Sequence, residues 1–398
     1  MLADVIARIS QPLRFPVRAL PWRLAGCCAA LCALAAAGLP VAQAQAATVT
    51  WSIATSANRA GTNTLSSVSC ASATSCMAVG FSVQGSAASR ALAESWNGKT
   101  WSLTKAPPVA GDEDDILTGV SCASATQCMA VGYYGDSGAT QILAESWNGK
   151  TWSLTGPPNP SSTYDALNGV SCAGVKSCMA VGFANIGSNT VSVTESWNGS
   201  SWKVLTSPNP GGSYTLFGGV SCTSTTSCVA VGSQFDGVSE DLTLVESWNG
   251  STWSVVPSPS TGAMNFLAGV SCVSTRCVAA GEVTTADLTT TLIETWKKGG
   301  SWKVADSTNP GSTSDEFNGV SCASTTSCVV VGADTSGAVT DTLIETLSGG
   351  SWHVTTSPDP STSYSSLGGV SCVAVGSCAA AGTYQKNVNR ETLIESTF

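Results

Sequence analysis

The residues most able to do chemistry in this sequence recur at fixed intervals. Glu94, Glu145, Glu195, Glu246 and Glu294 each stand two residues before a Trp, and Glu345 and Glu395 hold the matching positions before Leu347 and Thr397. An acid present in every unit serves the unit. A carboxylate among apolar neighbours needs hydrogen-bond donors, and the scattered Lys and Arg cannot supply one each. Backbone N–H groups and Ser or Thr hydroxyls are the expected partners. A second set differs from unit to unit. Asn63, Asp115, Asp165, Thr215, Asn265, Asp315 and Ser365 lie seven residues before a recurring Cys, and Thr62, Asp114, Tyr164, Tyr214, Met264, Ser314 and Tyr364 precede them. Short polar groups beside aromatic rings suit a sugar-binding surface. The plainer reading is that they cap their own turns. As binding residues we single out Asn63, Asp114, Asp115, Tyr164, Asp165, Tyr214, Asn265, Asp315 and Tyr364.

Catalytic readings are weaker. His353 is the only His, so a Ser-His-Asp triad has no support. Asp114, Asp115, Asp165, Asp315 and Glu316 would be the carboxylates of a glycoside hydrolase or polysaccharide lyase, provided that two stand within about 10 Å. Asp112-Glu113-Asp114-Asp115 is the only acid run. Its oxygens would suit Ca²⁺, but it lacks a known loop spacing, and a solvated acidic loop is the simpler reading. No catalytic residue, metal ligand or other cofactor is assigned.

The elements that position these groups follow from the cysteines. V-S-C recurs at Cys70, Cys122, Cys172, Cys222, Cys272, Cys322 and Cys372, and a second Cys follows each at Cys76, Cys128, Cys178, Cys228, Cys277, Cys328 and Cys378. The period is about fifty residues. In an exported chain the pairs read as hairpin disulfides, with a Cys-ligated metal as the disfavoured alternative because no His accompanies them. Each unit holds four short strand-like runs bounded by Gly, Asn, Ser or Pro. In the first they are Leu65 to Cys70, Cys76 to Phe81, Ala91 to Trp96 and Thr100 to Thr104. Four strands per repeat predict the blades of a propeller. Asn97-Gly98, Asn148-Gly149, Asn198-Gly199 and Asn249-Gly250 predict type I′ turns between strands three and four. Leu92, Glu94, Trp96, Trp101 and Leu103 then share a bulky face, to be packed on the small-residue face of the next blade.

Strand-four tryptophans occur at Trp51, Trp101, Trp152, Trp202, Trp253, Trp302 and Trp352. Trp51 precedes every first strand, and Leu393 to Phe398 is a third strand with no fourth after it. The segment Thr48 to Thr55 is therefore expected to complete the last blade. The predicted fold is an all-β, seven-bladed propeller of four antiparallel strands per blade, with one hairpin disulfide in each. Closure removes open edges, so a monomer is expected. Ser95-Trp96-Asn97-Gly98-Lys99-Thr100-Trp101 resembles the Asp-box of sialidase-type (BNR) propellers, S-x-D-x-G-x-T-W, with Asn for Asp and one residue fewer. The resemblance implies a propeller and a structural turn rather than an activity.

Residues 1–46 read as a signal peptide: four Arg, an apolar run from Leu24 to Leu39, then Ala42-Gln43-Ala44-Gln45-Ala46. The domain is assigned to 47–398. Without the leader 13 Lys and Arg face 25 Asp and Glu, which argues against nucleic acid and anionic lipid. The expectation is a secreted module that binds a glycan or cell-surface polymer through the rim formed by the 4–1 and 2–3 loops. An extracellular protein-interaction scaffold is the further alternative.

Overall fold

The computed structural model describes residues 49–109, 114–136, 138–210, 212–235, 237–286 and 288–398. The proposed leader lies outside them, as do Asp112 and Glu113. Every element there is a strand. After the short β1 (Ser52–Ile53), the first repeat runs as an antiparallel meander of β2 (Thr62–Ser72), β3 (Ser75–Val83), β4 (Arg90–Trp96) and β5 (Trp101–Thr104). The same four-stranded blade recurs along the chain. β1 pairs with the final strand Asn389–Ser396, Ser52 opposite Ser396, and Trp51 is buried against Val331, Ile344 and Leu393. The N-terminal segment thus supplies the outermost strand of the last blade.

The innermost strands stand side by side in chain order, and the last, Ser365–Ala374, returns to β2. A recurring hydrogen bond joins them. The Ser of each V-S-C accepts the backbone N–H of the first Cys in the next blade: Cys122 to Ser69, Cys172 to Ser121, Cys222 to Ser171, Cys272 to Ser221, Cys322 to Ser271 and Cys372 to Ser321, all at 2.9–3.0 Å. Cys70 N–H donates to Ser371 at 2.9 Å. The series therefore ends where it began. At the other end of the blades, parallel bridges such as Thr140 to Tyr164 and Asp241 to Met264 stitch a third strand to the next innermost strand.

Each innermost strand carries a register shift before V-S-C, as between Leu65 and Ser67. The opposing strand must be glycine there. A Cβ at Gly182 would fall 2.1 Å from the Ala166 carbonyl oxygen. The disulfides Cys70–Cys76 through Cys372–Cys378 join cross-strand neighbours. Each short loop closure stabilises by about 2 kcal/mol on a chain-entropy model.

The strand 3–4 turn differs from the type I′ expectation. Trp96 faces Trp101, so the loop has four residues, 97 to 100. Gly98 has positive φ but Asn97 does not. The Asn97 side chain accepts the N–H groups of Lys99 and Thr100 instead. The register moves by two residues, so Leu92, Glu94, Trp96 and Trp101 keep a common face, but Leu103 is exposed at the edge of the blade and the face packs on the preceding blade rather than the next. Leu92 and Trp101 pack on Ala379, Ala381 and Ile394 of the preceding blade.

All seven recurring Glu are fully buried. Their partners come from the linker that follows the preceding blade's Trp. Ser56 Oγ and Ala57 N–H donate to Glu94, Ser207 to Glu246, Ser258 to Glu294, Thr308 N–H to Glu345 and Ser357 to Glu395. Glu145 and Glu195 are exceptions. Ala106-Pro107 and Pro157-Pro158 stand at the matching linker positions, so the first position has no hydroxyl and the second, a proline, has no N–H. No donor among the described residues reaches either carboxylate. Burial, with a smaller push from Asp115 and Asp165 respectively, raises both to about 8.

These two carboxyls bind protons more tightly in the folded chain than in the unfolded one. Their contribution is complete below about pH 4.5 and is lost as pH rises through 8. E145Q and E195Q should therefore match the parent in urea unfolding at pH 4 and exceed it at pH 8.5. A106S should stabilise at pH 8.5 by supplying the missing donor. Equal pH profiles for parent and variants would contradict the assignment.

Candidate binding rim

The 4–1 loops, at the end opposite the disulfides, are held at three points. The linker Ser grips the next blade's Glu, as above. Two residues on, an Asn, Ser or Asp accepts a backbone N–H from its own blade's third strand: Asn159 from Ile142, Asn209 from Ser192, Asn309 from Thr291 and Asp359 from Thr342. The variable polar position then ties down the end of the loop. Asn63 accepts from Arg59 N–H, Asp165 from Ser161, Asn265 from Thr261 and Asp315 from Gly311.

Five of the nine candidate residues therefore lie inside the protein. Asn63, Asp115, Asp165, Asn265 and Asp315 are at most 2 % exposed. Asp115 lies 3.5 Å from the Arg90 guanidinium, yet burial still raises its pKa. As placed, Asn63, Asp165, Asn265 and Asp315 orient loops, Asp115 meets Arg90, and none of the five offers an open surface. The neighbouring set faces outward. Asp114, Tyr164, Tyr214 and Tyr364 are half-buried and Met264 is exposed. The Arg390 guanidinium stacks 4.1 Å over the Tyr364 ring. Asp114 accepts the Ser89 N–H. Tyr134, in the second strand of its blade (Gln127–Asp136), hydrogen-bonds Gln141 across to the third strand.

One cavity of about 350 Å³ opens on this rim, lined by Tyr214, Asp241, Met264, Asn265, Phe266 and Glu282. Burial and the nearby Asp241 raise the Tyr214 phenol. Burial and Glu316 raise Glu282. The cavity offers aromatic and thioether surface beside carboxylate acceptors. A second cavity of about 200 Å³ follows the central channel and is walled by Gly-Val segments such as Gly119-Val120 and Gly219-Val220.

The structure adds a carboxylate group that sequence inspection missed. Asp334 sits cross-strand from both Asp315 and Asp341. Burial, then Asp315, Asp341 and Asp359, raise it to about 6. The available signal was Ser357-Pro358-Asp359-Pro360, where Asp359 stands in place of Asn159, Asn209 and Asn309 of other linkers. Among the described residues no group of three or more His, Cys, Asp or Glu is arranged to hold a metal ion, and no helix is long and apolar enough to cross a membrane.

Comparison with solved structures places the chain among β-propellers. YCF48, solved bound to a D1 peptide, superposes with a TM-score of 0.53 at 12% identity, covering 87% of this chain and 96% of that one. A six-bladed fungal lectin, the Aleuria aurantia lectin with its fucose recognition mode, gives 0.44 at 14% identity over 69% and 90% of the two chains. No protein-family model and no curated protein sequence matches.

Asp334 is protonated more readily in the folded chain, so its stabilising contribution is lost as pH rises from about 4 through 6. D334N should raise the unfolding midpoint at pH 7.5 and leave it unchanged at pH 3.5. A variant that is no more stable than the parent at pH 7.5 would show that the four carboxylates do not repel one another.

Proposed function

We propose that this chain is an exported, seven-bladed β-propeller that binds carbohydrate or another cell-surface polymer. Residues 1–46 act as the signal peptide and 47–398 form the propeller, which works as a monomer. Seven disulfides suit an oxidising compartment, and the order of the leader, basic then apolar then small, suits export. The Ser-to-Cys series, which returns to its start after seven steps, supports the blade count. The strand 3–4 turns are read as a shortened relative of the Asp-box.

The observation that carries the ligand reading is the cavity at Tyr214, Met264 and Glu282. Sugars present apolar ring faces and polar edges, and this cavity offers matching surfaces for both. The loops that surround it are anchored, so little ordering entropy is spent on binding. The clustered carboxylates at Asp334, and the Glu282–Glu316 pair, keep a hydrolase or lyase as the second reading.

A glycan array with and without Ca²⁺ separates the readings. Binding without turnover, weakened by Y214A and E282Q, supports the module. Release of reducing ends supports the hydrolase or lyase. Silence on every glycan contradicts both and favours a protein partner.

A further inference from the structure

Charge is divided between the two ends of the blades. The disulfide loops and the strand 3–4 turns share one end, since Cys76 lies opposite Trp96, which faces Trp101. All of these loops are described, and none contains an Asp or Glu. Lys99, Lys150, Lys176, Lys297 and Lys298 are exposed there, and Arg276 is half-buried. Among the described residues, every acid apart from the seven buried Glu lies toward the opposite rim. A chain of net charge −9 therefore presents one face without any negative side chain.

The same face carries aromatic surface. Trp96, Trp147, Trp197 and Trp248 are half-exposed, each beside the inner Trp of its hairpin at 5.5–5.7 Å between ring centroids. It is also indented. A cavity of about 240 Å³ lies between two blades and is lined by Trp248, Trp296, Trp302, Lys298, Ser247 and Ser274. The local turn geometry differs there. At Gly98, Gly149 and Gly250 an added Cβ would come within about 3 Å of Thr74, Thr126 or Thr226, so those turns rest on their disulfide loops. The Cys272–Cys277 loop is one residue shorter. The turn there is Lys297-Lys298-Gly299-Gly300, and a Cβ at Gly299 would meet nothing within 4 Å. The turn still donates its Lys298 N–H to the Thr275 carbonyl of that loop at 2.8 Å, and the cavity beside it is flanked by indoles and Lys298. A smaller cavity of about 130 Å³ opens beside Trp197 and Gly199 on the same face.

We propose that this rim, whose loops carry no Asp or Glu, binds an acidic polysaccharide, with the cavity between Trp248 and Trp296 as its main site. The inference rests on the carbohydrate reading above but uses the opposite face. A uronic acid ring would lay its apolar face on an indole while its carboxylate meets Lys298. Successive acidic sugars would meet Lys99, Lys150 and Lys176 around the disc. Polymer charge and rim charge complement each other. The chain's net negative charge opposes a polyphosphate, with its denser charge, more than a polymer with one carboxylate per sugar.

The full processed chain should be titrated with polygalacturonate and with neutral dextran at about 0.15 M salt. Polygalacturonate should bind and dextran should not, with affinity falling as salt rises. The variant K99S/K150S/K297S/K298S changes only exposed side chains, so it should fold as the parent does by circular dichroism. It should bind polygalacturonate about tenfold more weakly or worse. Equal binding of both polymers, an unchanged affinity in the lysine variant, or tighter binding of single-stranded DNA than of polygalacturonate would each overturn the proposal. If the array detects neutral glycans lost in Y214A while polygalacturonate fails to bind, this inference falls and the carbohydrate reading stands. If polygalacturonate binds and the array's Y214A effect is absent, the opposite rim is the one discarded.

Discussion

A blade of four short strands cannot bury its bulky face alone, so the whole structure depends on how each innermost strand is held to the next. The Ser of V-S-C does this. Its hydroxyl accepts the N–H of the following blade's first Cys at every junction, the one between the end of the chain and its beginning included. Each such bond contributes only about 1 kcal/mol net, but breaking it strands a backbone N–H between packed blades. The bond also sets a distance. It brings the innermost strands close enough that Gly169 and Gly219 leave no room for side chains between them. The disulfide beside each junction fixes the hairpin that carries it.

A second set of interblade bonds works at larger radius. The linker Ser reaches the buried Glu of the next blade while the linker Asn holds its own third strand. One short segment, as in Ser207-Pro208-Asn209-Pro210, therefore fixes the position of one blade against another and stiffens the rim above it. Two blades have lost the donor and keep the acid. Their Glu145 and Glu195 fit the interior only as neutral carboxyl groups near neutral pH. The site consequences are direct. Polar residues that looked like ligand contacts are consumed in holding loops, and the surfaces left over are tyrosines, a methionine and partly buried acids on one rim, lysines and indoles on the other.

Much of the fold was legible because repetition multiplies weak signals. The blade boundaries, the disulfide pairs, the role of Trp51 and the scaffold role of Glu94 and its counterparts follow from position within the repeat. The turn register was not legible. Asn97-Gly98 suits a two-residue turn, and only the geometry shows the Asn side chain capping a four-residue one. The functions of the V-S-C serine and the linker asparagine were also hidden, because both bonds cross between residues far apart in sequence. The division of charge between rims was hidden for a related reason. It appears only once loops from every blade are assigned to one end or the other.

The central claim is a ring closed by equivalent bonds, and the seam is where it is most exposed to test. Urea unfolding of S371A, which removes the bond to Cys70, should be compared with that of S171A, which removes the bond to Cys222 within the chain. A closed ring predicts similar losses of about 1–2 kcal/mol in the two variants, with faster hydrogen exchange at the Cys70 amide in S371A. A seam variant indistinguishable from the parent, beside a destabilised S171A, would mean that the first and last blades do not meet.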